Sequence, residues 1–119
     1  MLSTRTDLKT QLQNTTCDYT IIKLYADWCK PCKKIAPFIA TLVEEAKQTH
    51  GDNLNYIEIN VDDAIDIYAF FKNKRMLRGI PAVFLYKRDD FDEDTFYVPS
   101  ECVMGTDEEG LQDLFSQMG

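Results

Sequence analysis

The sequence predicts an α/β fold, on three observations. Helix-period and strand-period segments alternate along the chain, no internal repeat or low-complexity tract interrupts them, and 119 residues of 45% hydrophobic content suffice for one core. Residues 1–119 therefore read as a single domain without an interdomain linker.

Each element has its own signal. Thr4 followed by Asp7 forms a capping box, and Leu8 and Leu12 then share one face of a short first helix. Residues 20–26 read as a buried strand. Ile35, Phe38, Ile39, Leu42, Val43 and Ala46 recur at helical spacing until Gly51 stops the helix, and Pro37 is expected to kink it. Residues 54–61 form a second strand, 64–72 a short helix, and 82–86 a third strand entered through Gly79-Ile80-Pro81. A fourth strand is expected over 96–104, after an acidic turn, and 107–118 closes the chain as an amphipathic helix burying Leu111, Leu114, Phe115 and Met118.

Composition excludes several functions. A net charge of −7 repels phosphate backbones and anionic lipids, and no basic patch stands out along the chain, so neither nucleic acid nor a membrane is expected as a partner. No apolar run approaches the ~18 residues of a membrane span, and residues 1–7 lack the apolar block of a signal peptide, which points to a cytoplasmic protein. In that compartment four cysteines argue for catalytic or metal-binding thiols, because structural disulfides rarely persist there.

The chemistry lies in Ala26-Asp27-Trp28-Cys29-Lys30-Pro31-Cys32-Lys33, where the first strong strand hands over to the long helix. By itself a Cys-x-x-Cys is a weak signal. Two intervening residues let the sulfurs meet across the first helical turn, and the same spacing suits half a zinc site. Zinc would need further ligands, and Cys17, Cys102 and His50 form no second pair. A helix N-terminus stabilises the first thiolate through unpaired amides and the dipole, with Lys30 and Lys33 pushing the same way. Cys29 is therefore the candidate attacking thiol. Cys32, a turn deeper, is the candidate resolving thiol, kept protonated by burial.

The stretch from Tyr25 to Lys33 resembles the thioredoxin active-site signature, with Lys30 where that family usually has glycine. Asn60-Val61-Asp62 and Arg78-Gly79-Ile80-Pro81-Ala82 follow in the family's order, so the resemblance spans nearly the whole chain. It implies the thioredoxin fold, a central mixed β-sheet flanked by helices on both faces. It also implies a thiol-disulfide oxidoreductase that reduces protein disulfides through Cys29 and Cys32, binds no cofactor, and draws electrons from NADPH through a thioredoxin reductase. Trp28, Lys30, Pro31, Gly79, Ile80 and Pro81 would contact the substrate. From the residues alone Pro81 could be an ordinary strand-entry proline. The resemblance makes it cis, facing Cys29, with the Ile80 amide and carbonyl free to pair with an extended substrate strand. A pKa of ~7, the value known for thioredoxin itself, raises the thiolate fraction at pH 7 from ~3% to ~50%. Lower nucleophilicity returns about fivefold of that gain, so access and orientation must supply most of the rate.

The chain departs from the family at Lys23, where most thioredoxins bury an aspartate, and at Glu58, where they usually have lysine. The pair reads as exchanged rather than lost, a candidate proton-transfer or tuning pair, since an unpaired lysine within a parallel strand is costly. The bland alternative is two unrelated charges reaching solvent. Cys17 and Cys102 read as small buried hydrophobes, and His50 as a cation favouring the end of the long helix. Asp90, Asp92, Asp94 and Glu101 fit calcium-loop spacing, but Thr95 stands where the loop needs glycine, so a solvated hairpin tip is the better reading. Two other functions fit the same residues: a disulfide isomerase or oxidase of this fold, and a thioredoxin-like domain serving only as a binding subunit.

Overall fold

The computed structural model describes residues 2–119; Met1, the first residue of the N-terminal stretch discussed above, lies outside them. Eight elements follow in order: α1 (Arg5–Asn14), β1 (Tyr19–Tyr25), α2 (Lys30–His50), β2 (Leu54–Asn60), α3 (Ile65–Asn73), β3 (Ala82–Lys87), β4 (Glu101–Met104) and α4 (Glu108–Ser116). The four strands form one sheet in the order β2-β1-β3-β4. β1 pairs parallel with β2 and antiparallel with β3, which pairs antiparallel with β4, so the sheet is mixed.

Alternation along the central strands sends side chains to two cores. On one face Ile22 and Leu24 of β1 and Ala82, Phe84 and Tyr86 of β3 meet Leu8 and Leu12 of α1 and Ile67 and Phe71 of α3. On the other, Ile21, Val83 and Leu85 meet Ile35, Ile39, Val43 and Ala46 of α2 and Leu111, Leu114 and Met118 of α4. Both faces of β1 are thus covered, which explains why it reads as an unbroken apolar run rather than an alternating one. The expected capping box is present: the Thr4 hydroxyl accepts from the Asp7 amide, and the Asp7 carboxylate accepts from the Thr4 amide, both at 3.1 Å.

Two expectations need correction. The fourth strand covers only Glu101–Met104, not 96–104. Phe96 and Tyr97 have strand-forming side chains, but their rings turn onto Phe70, stacked at 5.8 Å and edge-on at 5.2 Å respectively. The Tyr86 hydroxyl donates to the Tyr97 carbonyl at 2.9 Å, and Pro99 has no amide to give a ladder, so pairing starts only when the Ser100 amide reaches the Leu85 carbonyl. Pro37 lies inside α2, which runs on over 21 residues. Phe115 is half-buried rather than part of the α4 core stripe. In the acidic stretch, Asp92 accepts from the amides of Asp94 and Thr95 and Asp90 from the Ser100 hydroxyl, which makes it a self-bonded turn.

Candidate active site

Cys29 and Cys32 are joined as a disulfide at the junction of β1 and α2. Ala26 through Cys29 leave the sheet at the carboxyl end of β1, and Cys29 is the N-cap of α2, its sulfur accepting from the Cys32 amide at 3.2 Å. Pro31, near the start of the helix, loses nothing by lacking an amide hydrogen, because that amide would have no helical partner. The first turn contains no acidic residue, so the amide dipoles act on the Cys29 sulfur unopposed.

Burial does not separate the two thiols as expected: Cys29 is 4% and Cys32 3% exposed. What separates them is the cap, since only Cys29 receives an amide and faces the Pro81 loop. Its sulfur lies 3.7 Å from the Ile80 carbonyl oxygen, a contact the reduced S–H can turn into a hydrogen bond. The Ile80–Pro81 peptide is cis, with Pro81 buried and Gly79 and Ile80 half-exposed. A Cβ on Gly79 would meet nothing within 4 Å, so the fold does not itself require glycine there.

Trp28 is 63% exposed and precedes the disulfide directly in sequence. Its indole Nε1–H donates to Asp62 Oδ2 at 2.9 Å, which fixes the ring across the gap to the end of β2. In the sequence Asp62 stands out only as part of the Asn60-Val61-Asp62 landmark. Parallel pairing of β1 and β2 would have exposed its role, because it puts the carboxyl ends of both strands, and hence Trp28 and Asp62, on one side of the sheet.

Lys23 and Glu58 also come together. They are register partners, and Lys23 Nζ is 3.4 Å from Glu58 Oε2. The Tyr56 hydroxyl donates to the same Oε2 at 2.9 Å, and the ammonium lies 5.3 Å from the Tyr25 ring centre. Burial first, then this hydrogen bond and the Glu58 charge, push the Tyr56 hydroxyl far above its usual range, so it remains a donor. The pair opens into a cleft walled on α2 by Ala40, Val43, Glu44 and Lys47. Ala40 is eight residues beyond Cys32, about 12 Å along the helix axis. The redox motif and the cleft of the charged pair thus share α2.

The remaining cysteines differ from expectation. Cys102 is exposed on β4, and Cys17 is half-buried with its thiol 3.2 Å from the Asp52 carbonyl oxygen. Local desolvation, then Glu101, push the Cys102 thiol up, which disfavours the nucleophilic thiolate there. His50 ends α2, with its ring edge-on to Tyr19 at 5.2 Å. Among the described residues no group of three or more His, Cys, Asp or Glu side chains is placed to hold a metal ion, and no helix is long and apolar enough to cross a membrane.

A capped Cys-x-x-Cys disulfide between a central strand and its helix, set against a cis-proline loop, defines a protein of the thioredoxin-fold redox class. The chain belongs to the thioredoxin family: residues 1–103 match the family described as Thioredoxin. It is 38% identical over 65 residues to Thioredoxin 1 of Chlorobaculum tepidum, a match covering 55% of this chain and 56% of that protein. It is 32% identical over 85 residues to the thioredoxin of Ophiophagus hannah, covering 71% and 72%. The Chlorobaculum match thus spans little more than half of that relative. The X-ray structure of Fasciola hepatica thioredoxin shares the fold with a TM-score of 0.70 at 19% identity, covering 99% of this chain and 97% of that one.

Proposed function

We propose that this chain is a protein-disulfide reductase of the thioredoxin type, with residues 1–119 acting as one domain. The observation that carries the reading is the disposition of Cys29 Sγ, which caps α2 and lies 3.7 Å from the Ile80 carbonyl next to cis Pro81. In the reduced protein the Cys29 thiolate attacks one sulfur of a substrate disulfide, forming a mixed disulfide and releasing the other sulfur as a thiolate. Cys32, once deprotonated, then attacks Cys29 Sγ and releases the second substrate sulfur. One substrate disulfide becomes two thiols, and the protein dithiol becomes the Cys29–Cys32 disulfide, two electrons having passed between them.

The other site residues serve binding and proton movement. Trp28, held by Asp62, is the apolar platform for substrate. Lys30, Pro31 and Gly79 line its path, and the Ile80 backbone offers an extended strand its hydrogen bonds. Lys23 and Glu58 are the tuning pair, with Glu58 accepting the Cys32 proton through water in the α2 cleft and Lys23 holding that carboxylate in place. Recharging needs a two-electron donor, for which NADPH acting through a thioredoxin reductase is the source and the cytoplasm the compartment. Disulfide-bearing proteins are the substrates, with no bound cofactor, nucleic acid or membrane involved.

The test is reduction of insulin disulfides by dithiothreitol with and without the protein. A rate well above the dithiothreitol blank is expected, and a rate equal to the blank removes the reductase reading.

A further inference from the structure

We propose that a cationic rim at the redox site, formed by Lys30, Lys33, Lys34, Arg75 and Arg78, selects disulfides flanked by acidic residues. This rests on the reductase reading above and names the substrate class for that site.

The starting observation is how the chain uses its thirteen lysines and arginines. Arg5, Lys9, Lys23 and Arg88 make ion pairs, and Lys47, Lys72 and Lys74 lie over aromatic rings. Among the described residues the other six have neither kind of partner. Five of those six stand on the two segments that meet at the disulfide: Lys30, Lys33 and Lys34 at the start of α2, and Arg75 and Arg78 in the loop leading to Pro81. All five are exposed. Arg78 is two residues from Ile80, whose carbonyl oxygen touches Cys29 Sγ. Only Lys87 is unpartnered elsewhere, at the far end of β3.

Local physics opposes these cations where they stand. The N-terminus of α2 is the positive end of its dipole, where carboxylates stabilise a helix and ammonium groups do not, and the chain places three lysines in its first five residues and no acid in its first turn. Arg75 has φ of 60° just past the end of α3, where the Met76 amide closes back on the Phe71 carbonyl. That left-handed capping position favours glycine, yet it carries an arginine. An unfavourable feature retained without an internal partner points to function outside the fold.

An anion arriving with the substrate supplies the missing partner. Asp62, bonded to the Trp28 indole, and its sequence neighbour Asp63 add negative charge at the Trp28 end, so the field orients a partner as well as attracting it. The net charge of −7 does not cancel this, because at 0.1 M salt charges beyond about 10 Å are largely screened and the rim acts at contact. The patch is invisible along the sequence because more than forty residues separate its two halves.

The experiment uses three disulfide-cyclised peptides identical except for flanking glutamates, glutamines or lysines. Second-order rates of reduction by the prereduced protein are divided by those for dithiothreitol, which removes the peptides' intrinsic reactivity. At 20 mM salt the glutamate peptide should react about tenfold faster than the glutamine peptide and the lysine peptide slowest, with the preference collapsing at 0.5 M. The Lys34→Gln/Arg75→Gln protein should lose about threefold of the glutamate preference, whereas Lys87→Gln should keep it all. Equal corrected rates for the three peptides, or a full preference in the double variant, would overturn the proposal. If none of the peptides is reduced, the reductase reading falls and takes this inference with it.

Discussion

Lys23 and Glu58 face each other across the parallel β1–β2 ladder, with the lysine side chain 10% and the glutamate side chain 49% exposed. This asymmetry sets the roles. A nearly buried ammonium needs its counterion, while a half-solvated carboxylate keeps contact with water.

Glu58→Gln should therefore do two things. It should destabilise the fold by about 1–2 kcal/mol, less than the 3–5 kcal/mol of a fully buried broken pair because water reaches one partner. Urea unfolding measures that. It should also slow resolution of the mixed disulfide by up to ~100-fold, with initial attack unchanged, as read by acid quench and mass spectrometry. An unchanged resolution rate in a folded variant would make the pair purely structural.

The cap on Cys29 predicts unequal consequences for the two cysteines. Cys29→Ser should abolish turnover, whereas Cys32→Ser should attack and stall, accumulating protein-linked mixed disulfides visible on non-reducing gels. Equal trapping by the two variants would contradict the assignment.

Acid should loosen the end of the sheet face covered by α1. Asp7 is held below the usual 3.8 by the amides of Ser3 and Thr4, and Asp66 by its hydrogen bonds from Arg5. A depressed folded pKa means a contribution fully present above about pH 4 and lost as the pH falls through the lowered value. Asp7→Asn should flatten the fall in thermal midpoint below pH 4 while leaving the midpoint slope above pH 5 unchanged. An identical acid limb in both proteins would show that the cap does not titrate with folding.

These residues also show what sequence could and could not reveal. Periodicity is a local signal, so α1, α2 and the three longer strands were legible, as was the disulfide motif at a strand–helix junction. Segment 96–100 misled because Phe96 and Tyr97 favour strands intrinsically, while the partner that captured them, Phe70, is some 26 residues away. Asp62 and the cations at 75 and 78 were hidden for a related reason. Their roles exist only once parallel pairing and the Pro81 loop bring distant segments to one end of the sheet.

The Tyr86 hydroxyl is buried and pushed well above its usual pKa by that burial, and it spans to the Tyr97 carbonyl at 2.9 Å. Tyr86→Phe should cost about 1 kcal/mol by leaving that carbonyl unmatched. The loss should appear in hydrogen exchange as faster amides in 91–100, with β1 and β2 unaffected. Uniform acceleration across the sheet would mean that the bond supports the core rather than the connection.

Trp28 is the only tryptophan of the chain, mostly exposed yet anchored to Asp62, one residue from a disulfide. The molecule consequently carries its own optical label at the place where its chemistry occurs. Emission from that single indole should brighten when the adjacent disulfide, an efficient quencher, is opened, and should shift when a docking peptide replaces water over the ring. Binding and electron transfer can then be followed separately in unmodified protein, the first as a change in colour and the second as a change in intensity.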